Sequence, residues 1–189
     1  MHLILASNSP RRKQLLAGLD IPFEVKVMPG IEENYPDDLP ANQVAAFLAK
    51  QKAEPYKQVI DDDTVVLTAD TVVISDNRIF GKPADEAEAA RMLEALSGKT
   101  HQVTTGVCLT SARWQHAFDV TSDVTFKSFT AEEIHYYISH YHPLDKAGAY
   151  GIQEWIGYIG VTGLKGSYFN VMGLPVQRIY QELKQLNLI

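Results

Sequence analysis

Several residue types and segments are scarce in this 189-residue chain, and each scarcity excludes a class of protein. Cys108 is the single cysteine, which excludes an internal disulfide framework and a CxxC metal site. The apolar run "HLILA" near the beginning is too short to cross a membrane and lacks the basic leader of a signal peptide. We therefore expect a cytoplasmic protein with no membrane partner.

Positive charge is also in short supply. The chain has 17 Lys and Arg residues against 23 Asp and Glu residues, for a net charge of −6. A protein that binds DNA or RNA regardless of sequence needs a broad basic surface, so we expect no nucleic-acid polymer as a partner. A small anionic ligand stays compatible with this charge, because a local basic pocket or a bound cation can reverse the field inside a cleft.

Helix and strand patterns alternate along the chain and predict an α/β fold. The length favours a single domain over residues 1–189. Strands are predicted at 2–6, 23–27, 64–74, 101–110, 117–127, 155–162 and 167–172, with a hairpin turn over 75–78. Helices are predicted at 10–18, 41–54, 85–98 and 130–140, and after Pro175. The mixture of βα units with hairpins indicates a mixed sheet, and two lobes around a cleft would fit this length.

The stretch "ASNSPRRKQLLAGLD" (6–20) predicts a capped helix with an unusual first turn. Ser9 is a typical N-cap, yet Arg11 and Arg12 lie at the positive end of the helix dipole, where each cation costs about 0.3–1 kcal/mol. A strand that leads into a helix N-terminus can also bind phosphate, and Ser7 would add a hydroxyl donor. The pattern therefore fits either a phosphate site or a capped helix with solvated arginines.

Two carboxylates are candidates for chemistry. Asp70 interrupts the otherwise apolar or small run 65–74, where a buried charge is expensive unless it is paired or bound to a metal. At a strand end facing a cleft it could orient a water or hold a cation; alternatively, it forms a turn before a hairpin. Glu33 belongs to an acidic loop that is either solvated or supplies oxygen ligands to a hard cation.

Basic and small residues add weaker signals. Lys52, Lys82 and Lys146 carry little information separately, since most lysines lie at the surface. The motif "GKP" places Lys82 in a rigid turn, however, and the small residues of "DKAGAYGIQ" (145–153) would let the backbone approach a ligand closely.

Taken together, six motifs resemble the Maf family of nucleotide pyrophosphatases. They are "LILASNSPRRKQLL", "TADTVV", "GKP", "LSGKTHQV", "DKAGAYGIQ" and "GSYFNVMGLP", in the family's order, and they extend from Leu3 to Pro175. The resemblance implies a fold like that of the inosine triphosphate pyrophosphatases, with an elongated mixed sheet, flanking helices and two lobes around a deep cleft. It also implies a homodimer.

The resemblance further implies hydrolysis of a nucleoside triphosphate between its α and β phosphates, with a divalent cation, Mg²⁺ or Mn²⁺. The matching positions would take these roles: Asp70 as the catalytic base or positioner of water; Ser7, Arg11, Arg12, Lys52 and Lys82 as phosphate ligands; Glu33 with Asp70 at the metal.

Substrate preference follows from three positions of the same family. Arg11, Thr71 and Gln153 match the subfamily that acts on dTTP and UTP. The subfamily that acts on 7-methyl-GTP has Trp and Gln in place of Arg11 and Thr71, and a Ser-Glu pair at 152–153. A glutamine amide both donates and accepts a hydrogen bond, as the imide edge of thymine or uracil requires.

One departure from the family concerns the rim of the predicted base pocket. Many relatives have Gly directly after the matching Gln, whereas this chain has Glu154 and Trp155.

Two alternatives to a dTTP/UTP pyrophosphatase stay open: a nucleotide-binding regulator of cell division with little hydrolysis, and a pyrophosphatase for 7-methyl-GTP.

Overall fold

A computed structural model describes residues 1–189 and contains strands and helices in alternation. The strands are β1 (His2–Leu5), β2 (Phe23–Val25), β3 (Thr64–Ser75), β4 (Arg78–Phe80), β5 (Thr100–Thr110), β6 (Gln115–Phe126) and β7 (Val161–Lys165). The α-helices are α1 (Pro10–Ala17), α2 (Ala41–Ala53), α3 (Glu86–Leu96), α4 (Ala131–Tyr141), α5 (Trp155–Gly160), α6 (Tyr168–Val171) and α7 (Val176–Gln185). None of the helices combines the length and the apolar character that a membrane span requires.

All the strands join one seven-stranded sheet. Its order is β2-β1-β3-β5-β6-β7, and β4 pairs with β3 beside this path. Strand β1 runs parallel to both β2 and β3, while β4 is antiparallel to β3 and β7 is antiparallel to β6. The prediction of an α/β fold with a mixed sheet and flanking helices is confirmed.

The chain divides into two compact units. The first unit comprises residues 1–70, 105–120 and 173–189, and the second comprises 71–104 and 121–172. The prediction of a single domain over the whole chain stays a prediction.

A tight hairpin joins β3 to β4, at the predicted place. Ser75 pairs with Arg78, and the two residues between them, Asp76 and Asn77, have φ values of 50° and 59°. Two successive residues in the left-handed region form a type I′ turn, which matches the twist of the flanking strands and favours Asn and Asp.

The first unit has a core built on β1 and β3. Ile4 and Val66 pack with the buried ring of Tyr56. The Tyr56 hydroxyl accepts a hydrogen bond from the Met28 backbone N–H at 2.8 Å and donates to the Lys26 carbonyl at 3.1 Å. This tyrosine therefore anchors the segment that leads into the acidic loop.

The second unit has a larger aromatic core. Phe126 lies at the centre, with its ring centroid 4.8 Å from that of Tyr150 and 4.9 Å from that of His101. The His101 Nε2 lies 2.7 Å from the Tyr150 hydroxyl oxygen, and burial lowers the pKa of His101 to about 4. The imidazole is therefore neutral at physiological pH and acts as a packed core group.

The strands predicted at 155–162 and 167–172 are wrong in large part. The first range is mostly helix α5 followed by the beginning of β7, and the second contains helix α6. Close packing explains the helix: a Cβ on Gly157 would overlap the carbonyl group of Ile152, so the backbone of α5 touches the preceding loop directly. Gly157 and Gly160 are three residues apart, a spacing that places both near one face of a helix.

Candidate active site

The beginning of α1 is ordered by two serine hydroxyls. Ser9 caps the helix, with its Oγ accepting from the Arg12 backbone N–H at 3.3 Å. Ser7 Oγ in turn accepts from the Ser9 backbone N–H at 3.2 Å. The predicted capped helix is confirmed, and its first turn contains no acidic residue.

Arg12 is not a solvated side chain. Its Nε donates to the Gly173 carbonyl at 2.9 Å, and its Nη1 donates to the Ala69 carbonyl at 2.9 Å. Burial lowers the pKa of the Arg12 guanidinium, the nearby Asp70 raises it, and Arg11 lowers it again. The alternative of solvated arginines therefore fails for Arg12, which ties the helix start to β3 and to the segment before α7.

Asp70 is paired with a lysine. Its Oδ1 lies 2.6 Å from the Nζ of Lys52, and both side chains are largely buried, with 13% and 16% of their surface exposed. Glu33 reaches the same ammonium, with its Oε1 at 3.2 Å from Nζ, and is half-exposed. One cation thus joins two carboxylates from distant parts of the sequence, and it compensates the cost of burying Asp70.

The position of Asp70 differs from the prediction. We expected a strand end, but Asp70 lies inside β3, which continues to Ser75. The turn-forming alternative is also wrong, because the hairpin turn is made by Asp76 and Asn77.

Helix α2 sets the position of Lys52. The helix packs on β5 so closely that a Cβ on Gly106 would overlap the backbone of Ala45. The buried hydroxyl of Thr68 on β3 donates to the Ala49 carbonyl at 2.7 Å, so β3 also holds the helix by a hydrogen bond. Two backbone-level contacts therefore hold the helix that carries the lysine.

We call Arg11, Arg12, Glu33, Lys52 and Asp70 the charged cluster. In addition to the two ion pairs of Lys52, the charges of Asp70, Arg11 and Glu33 all act on the Arg12 guanidinium. The structure therefore brings together five of the predicted site residues within the first unit. The cluster contains both cations and carboxylates, so it suits an anionic ligand that has a metal cation bound to it.

The donor set of the charged cluster fits a divalent ion of the magnesium type. No group of three or more His, Cys, Asp or Glu side chains is arranged to hold a metal. Mg²⁺ at nucleotide sites is commonly held by one or two carboxylates together with substrate phosphates, so it does not need such a group. Glu33 and Asp70, which converge on one ammonium, offer two carboxylates of this kind.

The other predicted residues, Thr71, Lys82 and Gln153, belong to the second unit. Thr71 is half-buried on β3, and Lys82 is exposed after β4, next to the buried Pro83. The Gln153 Oε1 is buried and has no hydrogen-bond partner.

The structure also contains a polar network that the sequence did not indicate. The buried Tyr137 hydroxyl donates to the Glu154 Oε2, and the Lys146 Nζ lies 3.2 Å from Glu154 Oε1 and 2.7 Å from Asp145 Oδ1. Tyr137 lies on the apolar side of a capped helix, where an aromatic residue predicts only core packing.

The fold and the charged cluster define an α/β protein with a mixed sheet and an arginine–lysine–carboxylate site in its first unit. The chain belongs to the Maf family: the model of the family described as Maf-like protein matches residues 2–186.

Curated relatives match nearly the full chain. A protein of Phocaeicola vulgatus named dTTP/UTP pyrophosphatase is 58% identical over 184 residues, covering 97% of this chain and 95% of the relative. A Porphyromonas gingivalis protein of the same name is 57% identical over 185 residues, covering 96% of this chain and 92% of the relative.

Among solved structures, a HAM1 protein from Coxiella burnetii is similar in fold. It has a TM-score of 0.50 and 17% sequence identity, and the match covers 98% of this chain and 99% of the other. At this identity, the likeness concerns the fold alone.

Proposed function

We propose that this protein is a nucleoside triphosphate pyrophosphatase that hydrolyses dTTP and UTP to the monophosphate and pyrophosphate. The family membership and the names of the relatives support the proposal. The observation that carries it is the Lys52 ammonium, which joins Asp70 and Glu33 beside two arginines. Such a cluster of cations and carboxylates is suited to a polyphosphate chain.

In this proposal, Asp70 is the catalytic residue. Its carboxylate accepts a proton from a water whose oxygen attacks the α-phosphorus, the bond between the α-phosphorus and the bridging oxygen breaks, and pyrophosphate leaves. Lys52 holds the carboxylate in place through its 2.6 Å ion pair. The phosphate oxygens are bound by Arg11, Arg12, Lys82 and the Ser7 hydroxyl together with Lys52, so that positioning and charge neutralisation supply most of the rate.

A divalent cation, Mg²⁺ or Mn²⁺, is the proposed cofactor. Glu33 and Asp70 would hold it, and when bound it supplies neutralisation of the negative charge on the phosphate oxygens.

Selection of the base is assigned to Arg11, Thr71 and Gln153. The unpartnered Oε1 of Gln153 can accept the imide N–H of thymine or uracil, while the Nε2 can donate to a neighbouring carbonyl oxygen. Cytosine has an acceptor at N3 in place of this donor, so a Gln153 amide whose oxygen faces N3 would meet acceptor with acceptor. We further propose a cytoplasmic homodimer that binds no nucleic-acid polymer; light scattering after size exclusion tests the dimer.

The decisive variant is Asp70→Asn, which removes the proton acceptor and keeps the side-chain shape. We expect pyrophosphate release from dTTP to fall by about 10³-fold or more, with a smaller change in nucleotide binding, because the base acts mainly in the transition state. Asp63→Asn, at an exposed position just before β3, is the matched control and keeps wild-type turnover.

A panel of dTTP, UTP, CTP and 7-methyl-GTP with Mn²⁺ tests the substrate assignment. Release of pyrophosphate from dTTP and UTP supports it. Near-normal turnover by Asp70→Asn would remove Asp70 as the base. Binding without release favours a nucleotide-responsive regulator, and preferential hydrolysis of 7-methyl-GTP overturns the assigned specificity.

A further inference from the structure

The turn that carries Gln153 is fixed by an unusual clamp. Residues 151–154 form a turn closed by the Glu154 backbone N–H, which donates to the Gly151 carbonyl at 3.0 Å. The Gly151 backbone N–H donates to the Tyr137 hydroxyl oxygen at 3.0 Å, and the same hydroxyl donates to the Glu154 carboxylate. One buried hydroxyl therefore holds both ends of the turn, with Gln153 between them.

The clamp is buried, and each of its polar groups has a partner. Tyr137 is fully buried, and burial and the adjacent Glu154 carboxylate raise the pKa of its hydroxyl, so the hydroxyl stays protonated and keeps donating. Lys146, 8% exposed, lies 3.2 Å from the second Glu154 oxygen and 2.7 Å from Asp145 Oδ1, so its charge lowers the cost of burying the Glu154 carboxylate. Every group of the clamp thus has a partner of the right kind.

The turn is also packed tightly around Gln153. A Cβ on Gly151 would lie only 3.1 Å from Gln153 Nε2 and 3.0 Å from Glu154 Cδ, so both side chains fold back over the turn. A glutamine on a loosely held turn would sample several positions of its amide. Here the backbone on either side is fixed, and the Gln153 amide oxygen has no hydrogen-bond partner within the protein.

We propose that Tyr137 and Glu154 are positioning residues for pyrimidine recognition, which act by fixing the turn that presents the Gln153 amide to the base. The inference rests on the proposed function, because it concerns the base of that substrate. Neither residue needs to touch the nucleotide.

Tyr137→Phe, which removes one hydroxyl and keeps the ring, is the principal test. We expect kcat/KM for UTP to fall about tenfold, mainly through KM, because the donor and acceptor at both ends of the turn are lost together. Hydrolysis of CTP changes much less, because cytosine has no N3–H to donate to the Gln153 oxygen. The UTP/CTP selectivity therefore falls by nearly the same factor, which a general loss of stability would not produce.

Two further variants keep the test sharp if Tyr137→Phe folds poorly. Glu154→Gln keeps an acceptor for Tyr137 and loses only the charge that faces Lys146, so it retains more selectivity than Glu154→Ala. Tyr141→Phe is the matched control: Tyr141 is on the same helix and stacks on Tyr137 at 5.2 Å, but its hydroxyl is not part of the clamp. Melting temperatures of all variants are measured alongside.

The outcomes separate the two proposals. If wild type hydrolyses UTP in preference to CTP, and Tyr137→Phe and Glu154→Ala keep the wild-type ratio, the positioning role is wrong and the proposed function stands. If wild type releases no pyrophosphate from UTP or dTTP, both are overturned. A lowered ratio in both variants, with Tyr141→Phe unchanged, supports the clamp.

Discussion

Two helices of this chain begin with the same cap and opposite charges. In α4 the Thr130 hydroxyl accepts from the Glu133 N–H at 3.1 Å, and the Glu133 carboxylate returns to the Thr130 N–H at 3.0 Å. In α1 the Ser9 hydroxyl accepts from the Arg12 N–H, and Arg12 occupies the position that Glu133 has in α4. The comparison separates what a helix start needs for stability from what this one does in addition.

The difference lies in where the third residue of each helix sends its side chain. Glu133 stays local and completes a capping box with the helix dipole in its favour. Arg12 turns away from its own helix, donates to carbonyls of Ala69 and Gly173, and lies within the field of Asp70. An unfavourable dipole term of a few tenths of a kcal/mol is small beside these charge-assisted hydrogen bonds.

Arg12→Ala should have the largest effect on the difference between the two helix starts. The change removes the two hydrogen bonds that Arg12 donates to the carbonyls of the buried Ala69 and Gly173, so we expect the free energy of unfolding to fall by about 3 kcal/mol, measured by urea denaturation. Lys13→Ala, one position later, removes the same charge from an exposed side chain and should change stability by less than about 1 kcal/mol. Equal losses of stability in the two variants would show that the hydrogen bonds of Arg12 to Ala69 and Gly173 contribute little.

The caps themselves provide a paired experiment of intermediate size. Thr130→Ala and Ser9→Ala each remove one N-cap hydroxyl, so each should lower the free energy of unfolding by about 1 kcal/mol. Pyrophosphate release should survive in Thr130→Ala and fall in Ser9→Ala, because only the latter loosens the turn that holds Arg12. Equal activities in two equally destabilised variants would show that the α1 start has no special role.

The smallest effect is a difference in pH response. The hydrogen bond from Lys127 and the bond to the Thr130 backbone lower the pKa of Glu133 from its usual 4.5. A lowered pKa in the folded state gives stability that is present above the usual value and is lost as the pH falls through the lowered one. Hydrogen exchange at the Thr130 N–H, followed from about pH 6 to about pH 3, should therefore lose protection.

The start of α1 has no first-turn carboxylate, so the Lys13 N–H, which donates to the Ser9 carbonyl, should show no such loss beyond global unfolding. Glu133→Gln should flatten the response of α4. Persistent protection of Thr130 in acid would mean that the carboxylate contributes little to the box.

Much of the fold could be predicted from local signals. Caps and turn residues identified the starts of α1, α3 and α4 and the Asp76-Asn77 hairpin, because these features depend on residues within one turn of each other. Helices α5 and α6 were mistaken for strands. In α5, Gly157 packs closely on Ile152, a contact that no short pattern records.

The site was predictable only in part, for the same reason. Asp70 was found because a charge interrupts an apolar run, but its partner Lys52 looked like any surface lysine. Lys52 and Asp70 are 18 residues apart in the sequence, and the packing of α2 on β3 brings them together. The Tyr137 clamp was missed because a tyrosine on the inner side of a helix predicts burial, whatever its hydroxyl does.

Gly106 shows how far a silent position can constrain evolution. Even the single methyl group of alanine would collide there with the main chain of Ala45, in the helix that carries Lys52. Residues on the solvent side of that helix are open to drift, whereas this point beneath it tolerates no side chain at all. Natural variation at such a site should be absent for reasons of space alone.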